Sequence, residues 1–123
     1  MSKKKILIIE DDKDLSDLYR IYLERENFVV LSSANGMEGV AKSIDKSVDL
    51  ILLDLMMPDS DGRDVLSMLS LHNKTKDIPI IILSNLNPDT YDLSEYDGQV
   101  IDYWVKSDIT PKILVEKLLS YFS

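Results

Sequence analysis

Asp54, Ser84 and Lys106 are a carboxylate, a hydroxyl and an ammonium, and each closes a short run of apolar residues. The acidic triplet Glu10-Asp11-Asp12 closes another run, Ile6 to Ile9. Carboxylates gathered within a few ångströms repel one another, and their pKa values rise unless a cation lies among them. A hard divalent cation with oxygen ligands relieves that repulsion. Magnesium suits one or two carboxylates together with a carbonyl, waters and a phosphate oxygen. A phosphoryl group beside such an ion finds a second counter-charge in Lys106 and a hydrogen-bond donor in the Ser84 hydroxyl. Asp54, the acid nearest the middle of the chain's expected sheet, is the natural nucleophile for an aspartyl phosphate.

For that chemistry to occur, four separate strand ends must meet on one rim. Ile6 to Ile9, Phe28 to Leu31, Leu50 to Leu53, Ile78 to Leu83 and Tyr103 to Lys106 read as strands. They are short and aliphatic, as strands buried on both faces are. Between them lie stretches with helical periodicity. Asp11 to Glu26 places Leu15, Leu18, Tyr19 and Tyr22 on one face. Asn35-Gly36 opens a second helix with Met37, Val40, Ala41 and Ile44 inward, and a third carries Val65, Leu66 and Leu69. Pro58 to Gly62 is rich in turn formers, Asn87-Pro88-Asp89 starts a short acidic helix reaching about Tyr96, and Thr110 caps a last helix with Pro111 at its first position. The inward stripe of that helix is Leu114, Val115, Leu118, Leu119 and Phe122. The pattern is βα repeated five times, which implies a parallel sheet covered on both faces by right-handed crossovers. In such sheets ligands bind outside the carboxyl ends of the strands, where these polar residues fall.

The 123 residues fit one domain, 1–123, with no internal repeat or linker. The formal net charge of −8 disfavours direct binding to nucleic acid or an anionic membrane. The run Lys3-Lys4-Lys5 reads as a solvated lead-in to the first strand. No cysteine is present, so disulfides and thiolate metal sites are excluded. No apolar stretch has the length of a signal core or a membrane span, and a cytoplasmic location is the expectation.

These residues together resemble the receiver domains of bacterial response regulators. The carriers are Ile9-Glu10-Asp11-Asp12, the stretch Leu53 to Gly62, Leu83-Ser84 and Tyr103-Trp104-Val105-Lys106, with intervals of 30 residues from Asp54 to Ser84 and 22 from Ser84 to Lys106. The resemblance spans about Lys4 to Phe122 and implies a flavodoxin-like doubly wound α/β fold with strand order 2-1-3-4-5. It implies that Asp54 accepts phosphate from a phosphohistidine on a histidine kinase or phosphotransfer protein. Asp11 is then a direct magnesium ligand, Glu10 acts largely through water, Asp54 also ligates, and Met56 contributes its backbone carbonyl. Ser84 and Lys106 bind phosphoryl oxygens. Tyr103 is an aromatic switch that follows Ser84. The fourth helix, fifth strand and fifth helix, about Pro88 to Phe122, carry the signal to a downstream protein or to an output domain outside this chain. A signalling switch with self-catalysed transfer and autodephosphorylation is implied, rather than an enzyme acting on other substrates.

The chain departs from the family's usual residues at three places: Asn85 replaces a small residue, Ser107 replaces a proline, and the pair Gln99-Val100 replaces Gly-Ala. They leave open a constitutive scaffold on the same fold, and whether the Lys106–Ser107 bond is cis. A magnesium-dependent phosphatase is disfavoured because Met56 stands where a second acid would be needed. Flavin binding is disfavoured by the acids after the first strand. Asp12 reads as the helix start, Met57 as apolar filler, His72 as a surface residue, and Trp104 as buried on the side opposite Tyr103. Asp89, Asp92, Glu95, Asp97, Asp102 and Asp108 form an acidic face; it reads either as a solvated helix surface or as a selector of a basic partner.

Overall fold

The computed structural model describes residues 3–58 and 60–123; Asp59, within the turn read from the sequence, lies outside the described residues, as do Met1 and Ser2. The strands are β1 (Lys5–Ile9), β2 (Val29–Ser33), β3 (Leu50–Leu53), β4 (Met56–Met57), β5 (Ser60–Asp61), β6 (Ile80–Ser84) and β7 (Val100–Val105). The α-helices are α1 (Lys13–Arg25), α2 (Gly36–Lys46), α3 (Gly62–Leu71) and α4 (Pro111–Phe122). Five strands form one parallel sheet in the order β2-β1-β3-β6-β7, while β4 and β5 make a small antiparallel hairpin after β3. With the hairpin set aside, this is the expected 2-1-3-4-5 arrangement.

Every side chain of β3 and β6 is buried, and so are the four residues Ile6 to Ile9 of β1. The aliphatic runs therefore serve two cores. Leu7, Ile9, Ile51, Leu53, Ile80 and Ile82 face α2 and α3; Ile6, Ile8, Leu50, Leu52, Ile81 and Leu83 face α1 and α4 with Tyr19, Trp104 and Leu114. Trp104 is thus buried opposite Tyr103, as its alternation predicts.

The expected helix from Asn87 to Tyr96 is not formed. The chain makes two 3₁₀ turns instead, Pro88–Thr90 and Ser94–Tyr96, so there are four α-helices among the described residues. The reason is local. The side chains of Asn87 and Asp92 accept hydrogen bonds from the backbone of Asp89 (2.8 Å) and Ser94 (3.0 Å), turning the chain twice within eight residues. Four residues expected inward also face solvent: Leu18, Met37, Ala41 and Leu119. On α1 the buried stripe is Ser16, Tyr19 and Leu23. On α2 the glycines make the close contact: a Cβ at Gly39 would lie 2.5 Å from Ile9 Cδ1, so the inward face runs through Gly36, Gly39, Val40 and Ser43.

Candidate functional site

The adjacent carboxyl ends of β1 and β3 are held in step by the pair Ile9–Leu53 and by the Asp54 amide donating to the Ile9 carbonyl at 3.1 Å. This register sets Glu10 and Asp11 beside Asp54. On the other side of β3, the register between β6 and β7 pairs Ser84 with Val105, so Lys106 leaves the sheet one residue beyond Ser84. The five residues singled out from the sequence as metal or phosphoryl contacts by their side chains thus lie on one rim.

Glu10 and Asp54 are each only 4% exposed. The Lys106 ammonium lies between them, 2.5 Å from Glu10 Oε2 and 2.9 Å from Asp54 Oδ2. Burial pushes the Glu10 carboxyl up to about 7, although the hydrogen bond from Lys106 opposes this. Burial acts to lower the Lys106 pKa, but the hydrogen bonds and charges of Glu10 and Asp54 outweigh it and the pKa rises. One ammonium therefore serves two buried carboxylates, with the exposed Asp11 beside them. Carboxylate oxygens of Glu10, Asp11 and Asp54 all come within 4.8 Å of one another. The surplus negative charge and the all-oxygen donor set fit a hard divalent cation.

Backbone and side-chain hydrogen bonds fix these acids. The Met56 amide donates to Asp54 Oδ1 at 2.9 Å, and the Asp12 amide donates to Glu10 Oε1 at 3.0 Å. Asp12 itself caps α1, accepting from the Leu15 amide at 3.1 Å, as its position predicts. Met57 is core, whereas the Met56 side chain is exposed. His72 is an exposed residue at the end of α3. An open cleft of about 750 Å³ borders the acids, lined by Asp11, Met56, Pro58, Ser60, Asp61 and Tyr91 among others.

Ser84 is fully buried, and its hydroxyl accepts from the Leu86 amide at 3.3 Å. The Tyr103 phenol donates to the Leu86 carbonyl at 2.8 Å. Burial raises the Tyr103 pKa, with the Asp54 charge adding to the effect, so the phenol stays a donor at neutral pH. Leu86 is the tie that sequence reasoning missed. It contributes only backbone atoms, and backbone atoms leave no signal in residue type. Of the three departures, Gln99 is explained by the core: it is buried, and its amide donates to the carbonyls of Thr75 (2.6 Å) and Ile78 (3.0 Å). Every described peptide bond is trans, Lys106–Ser107 included.

The sequence model of one family, described as response regulator receiver domain, matches residues 6–118. The chain is 37% identical over 105 residues to the transcriptional regulatory protein ResD of Bacillus subtilis (strain 168), covering 85% of this chain and 42% of that protein. It is 37% identical over 102 residues to the DNA-binding dual master transcriptional regulator RpaA of a Synechocystis strain, covering 83% of this chain and 42% of that protein. The chain spans less than half the length of these curated relatives. Among solved structures it is similar to a response regulator receiver domain protein (CheY-like) from Methanospirillum hungatei JF-1, with a TM-score of 0.79, 27% identity and coverage of 98% and 94%. It is also similar to the phosphorylated cyanobacterial phytochrome response regulator RcpA, with a TM-score of 0.80, 29% identity and coverage of 98% and 94%.

Proposed function

The chain belongs to the response regulator receiver domain family, and from that premise we propose that Asp54 is its phosphate acceptor in a two-component or phosphorelay pathway. The observation that carries this reading is the position of Lys106 Nζ between two buried carboxylates at 2.5 and 2.9 Å, one of them Asp54. An ammonium so held is a counter-charge in waiting for phosphoryl oxygens.

Asp54 attacks the phosphorus of a phosphohistidine on a histidine kinase or phosphotransfer protein. An O–P bond to the Asp54 carboxylate forms as the P–N bond to the imidazole breaks, and the departing imidazole takes a proton from solvent. The Met56 amide holds one oxygen of Asp54, which limits rotation of the nucleophile during the approach. Lys106 exchanges its contact with Asp54 for a phosphoryl oxygen, and the Ser84 hydroxyl, leaving the Leu86 amide from which it accepts, donates its proton to another. Glu10, Asp11, Asp54 and the Met56 carbonyl are the residues that would hold magnesium, which supplies charge neutralisation on the transferring group when bound. Autodephosphorylation follows from water reaching the same phosphorus.

Release of Leu86 by Ser84 connects the site to Tyr103, because Tyr103 bonds the carbonyl of the same residue. The surface from Pro88 to Phe122 is then the output face, acting on a downstream protein or on an output domain outside this chain. The phosphate need only favour one arrangement of that face over the other. A cytoplasmic setting suits such a partner set, and no described helix is long and apolar enough to cross a membrane.

The test is incubation with magnesium and acetyl phosphate, followed by mass spectrometry. A gain of one phosphoryl group in the native protein and none in Asp54→Asn is the expected result. Absence of the gain in the native protein, or its persistence in Asp54→Asn, overturns the assignment.

A further inference from the structure

The amide N–H of Ser107 donates to Asn85 Oδ1 at 2.8 Å. Each partner follows directly on a residue of the site, Asn85 on Ser84 and Ser107 on Lys106. The bond crosses between the carboxyl ends of β6 and β7 just past their last regular pair, Ser84 with Val105. It thus continues the sheet's pairing by one step through a side chain. Lys106 opens a 3₁₀ turn, Lys106–Asp108, whose own backbone bond runs from the Ile109 amide to the Lys106 carbonyl at 3.2 Å. Apart from that turn, the Asn85 bond anchors the backbone next to Lys106 to a neighbouring strand.

The chemistry at these two positions is matched. A proline at 107 has no N–H to give, and a small apolar residue at 85 has no side-chain carbonyl to receive one. The two departures from the usual family residues are therefore partners in one contact. We propose that Asn85 is a positioning residue that acts through Lys106, fixing the ammonium relative to the Ser84 hydroxyl so that both reach the same phosphoryl group. The proposal rests on the phosphoacceptor reading above. Residues 84–86 then gather three ties: Ser84 Oγ to the Leu86 amide, the Leu86 carbonyl to Tyr103, and Asn85 to Ser107. A shift of Ser84 toward phosphate moves the Lys106 turn as well as Tyr103.

The experiment has a structural arm and a kinetic arm. Amide hydrogen exchange without metal or phosphodonor reads the bond itself: Ser107 N–H is protected in the native protein and loses that protection in Asn85→Ala. The kinetic arm measures phosphorylation by acetyl phosphate at saturating magnesium. Asn85→Ala lowers the rate about fivefold, the equivalent of one neutral hydrogen bond, with the magnesium dissociation constant unchanged because no metal-holding residue has moved. Ser107→Ala keeps the N–H and keeps the rate, whereas Ser107→Pro loses it, and combining Ser107→Pro with Asn85→Ala adds nothing further. In a Lys106→Ala background, Asn85→Ala has no effect. A native rate in Asn85→Ala, a faster rate, or an undiminished effect in the Lys106→Ala background overturns the proposal. Failure of the native protein to take up phosphate at all instead overturns the phosphoacceptor reading, whereas a Ser107 N–H that is unprotected in the native protein, or equally protected in Asn85→Ala, removes the bond on which the proposal rests and overturns it.

Discussion

Lys106 carries the charge balance of the site, because its one ammonium faces two buried carboxylates. Lys106→Met leaves Glu10 and Asp54 buried side by side with no ammonium between them. Breaking a buried ion pair from one side costs about 3–5 kcal/mol, and urea unfolding without metal is expected to show a loss in that range. Magnesium should restore part of it, because a cation can take over the neutralisation. Equal loss with and without magnesium would count against the three acids as the metal's ligands. The side chains that make the site were legible in the sequence because each ends an aliphatic run, and the sheet brings run ends together. What could not be read were contacts made by backbone. Leu86 joins Ser84 to Tyr103 through its amide and carbonyl, and Ser107 meets Asn85 through its amide. Such groups are the same in every residue but proline, so the side-chain type at Leu86 or Ser107 does not announce these contacts.

At the scale of elements, strands were read more faithfully than helices. A strand buried on both faces needs only an aliphatic run, and Leu50 to Leu53 matches β3 at both ends. Helix faces depend on what they pack against. Met37 and Ala41 are apolar yet exposed, while the smaller Gly36 and Gly39 are buried where α2 lies close to Val65 and Ile9. Turn chemistry defeated the expected helix near Pro88, where the Asn87 and Asp92 side chains satisfy the backbone locally. The resulting segment between β6 and β7 lacks a helix's internal ladder, so its amides should exchange faster than those of β6. A hydrogen-exchange profile with equal protection in both would contradict this. The start of α3 offers a sharper test. A Cβ at Gly62 would lie 2.5 Å from Leu55 Cα, a backbone atom that cannot swing aside, whereas nothing lies within 4 Å of one at Gly98. Gly62→Ala is expected to destabilise the protein by about 1–3 kcal/mol, the range for overpacking a filled interior, and Gly98→Ala to change stability by less than about 0.5 kcal/mol. Because Leu55 adjoins Asp54, the first substitution should also slow phosphorylation.

The whole molecule holds an unfavourable arrangement of charge, and its pH response should expose it. The net charge is −8, and the acids at Asp89, Asp92, Glu95, Asp97, Asp102 and Asp108 are all exposed. Glu10 differs: burial carries its carboxyl from 4.5 to about 7. Between those values the folded chain holds a proton that the unfolded chain has released. Stability from this group is therefore complete below about pH 4.5 and is lost as pH rises to about 7. The size is on the order of 1–3 kcal/mol. Glu10→Gln should remove this slope from metal-free unfolding curves. Magnesium should reverse it, since metal binding requires the carboxylate and so strengthens as the proton leaves. At about a hundred times its dissociation constant the ion adds about 2.7 kcal/mol to the folded state. Metal-free stability that rises between pH 5 and 7 in the native protein, with no difference in Glu10→Gln, would mean that Glu10 is already ionised when the metal arrives, and that the site meets magnesium with its charges exposed rather than one of them masked by a proton.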